Sequence, residues 1–213
     1  MQTKVSHKLI LAVGIAATVI IGIFSYTVLE SYDRYVMRDI EGYAHQLSET
    51  VKSSTRYDML LNRRESLHEI INTIGTQEGI DKVRIFNKEG DVIFSTDTLD
   101  IGGSVDKQAE ACYACHAADK PLESLPISNR TRIFNGDHKD RIFGIISPIY
   151  NEPSCWQSSC HAHAADQKVL GVLDITVPLT SVDRDHSASR SQLILLTLLV
   201  IVAISGIIYW LVG

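Results

Sequence analysis

Apolar and polar positions alternate on three different schedules along this chain. Leu9–Leu29 runs for 21 residues and Ser191–Gly213 for 23 without a charged side chain, each beyond the roughly 20 residues a helix needs to cross a bilayer. Between them, Val36, Ile40, Tyr43, Leu47 and Val51 recur at gaps of 4, 3, 4 and 4, which predicts a helix from Leu29 to about Ser53 that runs on from the first apolar stretch. Glu65–Ile74 predicts a shorter amphipathic helix through Leu67, Ile70, Ile71 and Ile74. After Gly79 the period drops to two. Lys82–Asn87 and Asp91–Thr96 alternate on either side of the turn Lys88-Glu89-Gly90, predicting a β-hairpin, and Thr131–Phe134, Arg141–Tyr150 and Lys168–Val177 read as three further strands. Long helix, short helix, hairpin and three antiparallel strands make an α+β domain. Two long loop-rich stretches interrupt it, Asp97–Ser128 and Asn151–Gln167, and together they hold all four cysteines. Loops of that length usually carry function.

Charge sets the topology. The first eight residues carry Lys4 and Lys8 and no acidic residue, so the positive-inside rule makes 1–8 a cytoplasmic tip, 9–29 a first transmembrane helix, 30–190 an external domain and 191–213 a second transmembrane helix. The first stretch is longer than the roughly 7–15 apolar residues of a signal peptide, and no small-x-small cleavage site follows it, so an anchor is the better reading. All 25 acidic residues and 18 of the 20 basic ones lie in the external segment. That acidic balance argues against nucleic acid or anionic lipid as its partner. No Lys or Arg follows the second apolar stretch, from which the expectation is that the sequence is the front of a longer protein.

Cys112-Tyr113-Ala114-Cys115-His116 is C-x-x-C-H, the attachment signature of c-type haem. Two thiols add across the porphyrin vinyl groups and the adjacent histidine binds the iron from one face. A zinc pair, a thioredoxin-like dithiol and a plain disulfide are the competing readings. An oxidising compartment disfavours the first two, and no βαβ context surrounds the motif. Cys155–Cys160-His161 repeats the arrangement with four residues between the thiols, for which a disulfide closing the loop is the alternative. The retained histidine and the run Cys160-His161-Ala162-His163 favour a second haem. Two haem c groups are therefore expected, with His116 and His161 as proximal ligands.

Distal ligands decide whether such irons pass electrons or bind a small molecule. His163 can reach an iron other than that of His161. Met59 lies at the break between the two helices, where core packing beside Leu60 and Leu61 is the competing reading. His138 is a third candidate, set in a hairpin. His45, off the helical stripe, is expected to be solvated, and His186 to be an exposed linker residue.

With these residues laid out, the external segment resembles the periplasmic PAS/Cache-like haem c sensor domains of bacterial membrane histidine kinases and chemoreceptors. The resemblance covers about Leu29–Val177 and the flanking spans. It rests most on Asp106–His116, on Asn151–His163, and on Val169–Asp174, whose Gly-Val-Leu-Asp looks like the last core strand of such domains. It implies a PAS/Cache-like antiparallel sheet with a long N-terminal helix, a homodimer in the bacterial inner membrane, and a relay of redox state or small-ligand binding to a cytoplasmic signalling module. No catalytic module is recognisable in the chain, so an enzyme is not expected. A membrane-anchored dihaem electron-transfer cytochrome with a redox partner is the alternative.

Overall fold

The computed structural model describes residues 2–105, 112, 126–136, 140–157 and 163–212. In chain order these form α1 (Gln2–Leu60), α2 (Arg64–Gly75), β1 (Lys82–Asn87), β2 (Val92–Ser95), β3 (Thr131–Asn135), β4 (Arg141–Tyr150), α3 (Pro153–Trp156), β5 (Val169–Pro178) and α4 (Thr180–Val212), with 3-10 turns at Thr98–Asp100 and Ile127–Asn129. They divide into two compact units, Met1–Arg38 with Ser181–Gly213, and Asp39–Thr180.

In the first unit both helices are long and apolar enough to cross a membrane. Side chains such as Ile20, Phe24, Leu199 and Val202 are exposed. Two of the contacts between the helices involve a small or hydroxyl-bearing side chain. A Cβ on Gly14 would stand 3.2 Å from Ile208 Cδ1, and the Ser25 and Thr197 hydroxyls share a hydrogen bond of 3.0 Å. Small side chains and hydroxyl groups let helices approach where no hydrophobic driving force separates protein from lipid. His186 is not an exposed linker residue. Its imidazole bonds the Asp33 carboxylate and stacks on Tyr32, with ring centroids 5.9 Å apart.

The second unit is built on a five-stranded sheet of order β2-β1-β5-β4-β3, antiparallel throughout. The strand carrying Gly-Val-Leu-Asp, β5, is the last of the five in chain order and stands at the centre of the sheet. It pairs along its length with β1 (Ile85↔Leu173) and with β4 (Ile145↔Ile175). Val83, Ile85, Ile145, Leu173 and Ile175 form one buried face. Against it lies α1, and here the stripe differs from the expected one. The buried positions are Ala44, Ser48, Val51, Thr55 and Asp58, whereas Tyr43 is 52% exposed. Small side chains bring the helix close enough for the Ser48 and Ser147 hydroxyls to bond at 2.8 Å, both fully buried. Hydrophobicity alone is a poor guide to such a face, because close approach selects for size.

The helix also outruns Ser53. Nothing breaks it before Asn62, whose φ of 51° is left-handed, a conformation Asn tolerates better than most residues. The reversal lets the Arg63 N–H return to the Asp58 carbonyl at 2.9 Å, a hydrogen-bonded helix stop. The turn then starts α2, which buries Leu67 and Ile71.

Candidate functional site

A cavity of about 750 Å³ opens within the Asp39–Thr180 unit, bordered by the last turns of α1, the start of α2, β1, β2 and the facing ends of β4 and β5. Leu67, Ile85, Ile93, Phe94, Ile149 and Leu170 supply its apolar wall. That size lies in the range of about 300–1,000 Å³ typical of small-molecule and cofactor sites. Gly171 also borders it, and a Cβ there would stand 2.4 Å from the Phe86 carbonyl oxygen. Only glycine lets β1 and β5 close at this point.

The two described ends of the Asn151–Gln167 loop are tied to each other beside the cavity. Asn151 closes its base, the backbone N–H donating to Lys168 O at 2.9 Å and Nδ2 to the carbonyls of Ala164 (2.9 Å) and Gln167 (2.8 Å). Pro153 then starts α3, where a missing N–H costs nothing. On the helix side Arg56 pairs with Glu152 and donates to Ser154 Oγ at 3.0 Å. This tie places Cys155, a free and half-buried thiol, on the cavity. His163 and Met59 line the same cavity. Met59 is half-buried rather than a core residue. His45, expected to be solvated, is half-buried with Nδ1 shielded and 4.0 Å from Glu49.

Both ends of the other cysteine-bearing stretch are also anchored. Asp97 caps the 3-10 turn by accepting from the Leu99 N–H at 3.1 Å. Lys82 Nζ donates to Asp97 (3.2 Å) and Asp100 (2.9 Å). The Leu99 N–H, then the Lys82 ammonium, hold the Asp97 carboxyl below its ordinary value. For Lys82, burial works against the charge, but the bonds to Asp100 and Asp97 outweigh it and the ammonium is raised. The chain next runs beside β2, Val105 N–H donating to Gly90 O at 2.9 Å, and returns at Arg130, whose carbonyl accepts from Ile146 N–H at 2.9 Å. The described residues on either side of this stretch thus lie at the β2 edge and at the β3 edge of the sheet. Cys112 is half-buried in a turn. Cys115, His116, His138, Cys160 and His161 lie outside the described residues.

The charged lining was not legible as a site in the sequence. Lys52, Arg56, Arg63, Arg64 and Arg130 border the cavity with Glu49, Asp58 and Glu152. A signal was available, since Glu49, Lys52, Arg56, Met59 and Arg63 follow at helical gaps. On the opposite sheet face, Asp174 is fully buried between Arg84 (2.6 Å) and Arg132 (2.9 and 3.0 Å).

No protein family and no curated protein matches the chain. Among solved structures it is similar to the sensor domain of the histidine kinase DctB of V. cholerae, at 15% identity and a TM-score of 0.47 over 73% of this chain and 55% of that one. It is also similar to the periplasmic domain of RsbU from Chlamydia trachomatis, at 13% identity and a TM-score of 0.36 over 71% and 55%. The chain therefore spans about half the length of the solved chains it matches.

Proposed function

We propose that this chain is a two-pass inner-membrane sensor whose periplasmic, PAS/Cache-like domain carries c-type haem and relays its redox state or ligation to a cytoplasmic signalling output. The observation that carries the reading is the convergence of Cys155, His163 and Met59 on one cavity, in a chain whose cysteines are spaced for haem attachment. The donor set fits the group, since a free thiol, an imidazole and a thioether border a space with an apolar wall and a charged rim.

Cys155 and Cys160 would hold one haem through thioether bonds with His161 as proximal ligand, and Cys112, Cys115 and His116 the other. His163 and Met59 are the distal candidates on the cavity, and His138 is a further one. Bound haem would supply an iron whose charge changes by one on oxidation, or which takes a small ligand. The protein's part is to hold the Cys155 loop against α1 through Arg56 and to keep water from the apolar wall. Signal output follows from chain connection. Helix α1 lines the cavity and runs back to the first span. Strand β5 passes through Leu179, buried and bonded to the Arg141 carbonyl at 2.8 Å, directly into α4. A shift of either element is therefore continuous with a membrane helix.

The test is the mass of the full chain expressed with haem c maturation machinery, with visible spectra of the oxidised and reduced forms. Two haem additions are expected. Low-spin bands in both states would favour redox sensing or electron transfer, and a high-spin band that moves with NO or CO would point to ligand sensing. No addition would refute the reading. Spin-label distances between the spans that are identical in both redox states would turn it toward the dihaem electron-transfer cytochrome.

A further inference from the structure

The five cations bordering the cavity divide by what already neutralises them. Lys52 is held by Glu49 at 2.6 Å, Arg56 by Glu152 and Ser154, and Arg63 lies 4.0 Å from Asp58 and over the Tyr57 ring. Arg64 and Arg130 have no carboxylate partner among the described residues. The Arg64 guanidinium, at the exposed rim, lies 6.0 Å over the Phe94 ring, a contact that orients a cation without neutralising it. Arg130 is half-buried, its backbone is bonded to β4 through Ile146, and its Nε is shielded from solvent with no hydrogen-bond partner. The cavity thus combines an apolar wall with two uncompensated guanidinium groups. That pairing suits an apolar body bearing two carboxylates, because a guanidinium takes a carboxylate through two parallel bonds.

We infer that Arg64 and Arg130 are the carboxylate anchors of this cavity and bind the two propionates of the haem attached at Cys155 and Cys160. The inference rests on the haem reading above and assigns two residues that the cysteine motifs do not predict. A cation beside the propionates favours the reduced, less positive iron, so its removal lowers the midpoint potential.

The experiment uses the full chain matured with covalent haem. The cavity haem is identified as the signal missing from a Cys155→Ser/Cys160→Ser companion. Midpoint potentials are measured for the wild type, Arg64→Gln, Arg130→Gln, the double variant, Arg130→Lys and the control Lys88→Gln, an exposed cation that does not border the cavity. The potential is expected to fall in each Gln variant and furthest in the double one, to return toward wild type in Arg130→Lys, and to be unmoved in Lys88→Gln. Haem attached normally with Gln variants that track Lys88→Gln would overturn the anchors and leave the haem reading standing. A wild-type chain with no covalent haem would overturn both. Should a Gln variant fail to fold, Arg64→Lys and Arg130→Lys keep the charge but lose the paired bonds. A propionate band unchanged in their resonance Raman spectra would then overturn the inference.

Discussion

Replacing Asp174 by Asn keeps the shape of the side chain and removes its charge, which leaves two guanidinium groups facing each other across the central strand. Asp174 is fully enclosed, whereas the side chains of Arg84 and Arg132 are 23% and 12% exposed. Neither arginine is free to swing out. The Arg132 guanidinium covers Gly144, where a Cβ would stand 2.8 Å from Cζ, and lies 5.3 Å over the Phe134 ring. Arg84 lies 5.2 Å over Phe86. Removing one partner of a buried ion pair costs about 3–5 kcal/mol, and the partial exposure of both arginines puts Asp174→Asn near the lower end. A loss of about 3 kcal/mol accelerates exchange through opening of the sheet on the order of a hundredfold. Hydrogen exchange of the β4 and β5 amides in the detergent-solubilised chain reads this directly. The triple variant Arg84→Met/Arg132→Met/Asp174→Leu removes all three charges together and is expected to recover most of the loss, because apolar replacement of a whole buried network is often neutral. Exchange in Asp174→Asn within threefold of wild type, or a triple variant no better than the single one, would refute the reasoning.

Three further predictions follow from the same structure. Gly171→Ala drives a methyl group into the Phe86 carbonyl at 2.4 Å, a backbone contact that cannot yield cheaply. It should cost about 2 kcal/mol and reshape the cavity, seen as lost β1 amide protection. Ser48→Ala strands the buried Ser147 hydroxyl at about 1–2 kcal/mol, and Ser48→Ala/Ser147→Ala should recover part of it in the same assay. The Lys82 cluster should matter over a defined pH window. Its carboxylate contribution is complete above the unfolded Asp97 value of 3.8 and is lost as pH falls through the depressed folded value. The ammonium contribution is complete below 10.5 and is lost as pH rises through the raised value. The stability difference between wild type and Lys82→Met should therefore be flat from about pH 5 to 9 and shrink at both extremes. A difference that peaks at either extreme would show the cluster to be misassigned.

Local pattern carried much of this molecule. Uncharged runs longer than a bilayer is thick marked both apolar helices before any contact was known, because backbone polarity leaves a spanning segment few alternatives to a helix. Period-two alternation located the hairpin strands β1 and β2, and the other three strands were also read to within a residue, with Arg141–Tyr150 matching β4 at both ends. The cysteine spacings are the source of the haem c proposal, since thioether attachment needs thiols at short, fixed separations and a histidine beside the second.

What the sequence could not determine depends on distance through space. The face of α1 that packs on the sheet is chosen by small side chains at Ala44 and Ser48, and their selection depends on what lies opposite, Ser147 on β4. Strand order places β5 between β1 and β4, so Asp174 meets Arg84 and Arg132 from strands 90 and 42 residues away. The cavity is likewise a tertiary product. Met59, Arg64, Arg130, Cys155 and His163 come from separate segments of the chain, and no periodicity links them. Sequence alone specified which elements form, because propensity and pattern act over a few residues. Only the folded sheet decided which charges are buried together and which donors share a cavity, because burial and Coulomb energy depend on neighbours brought together by packing.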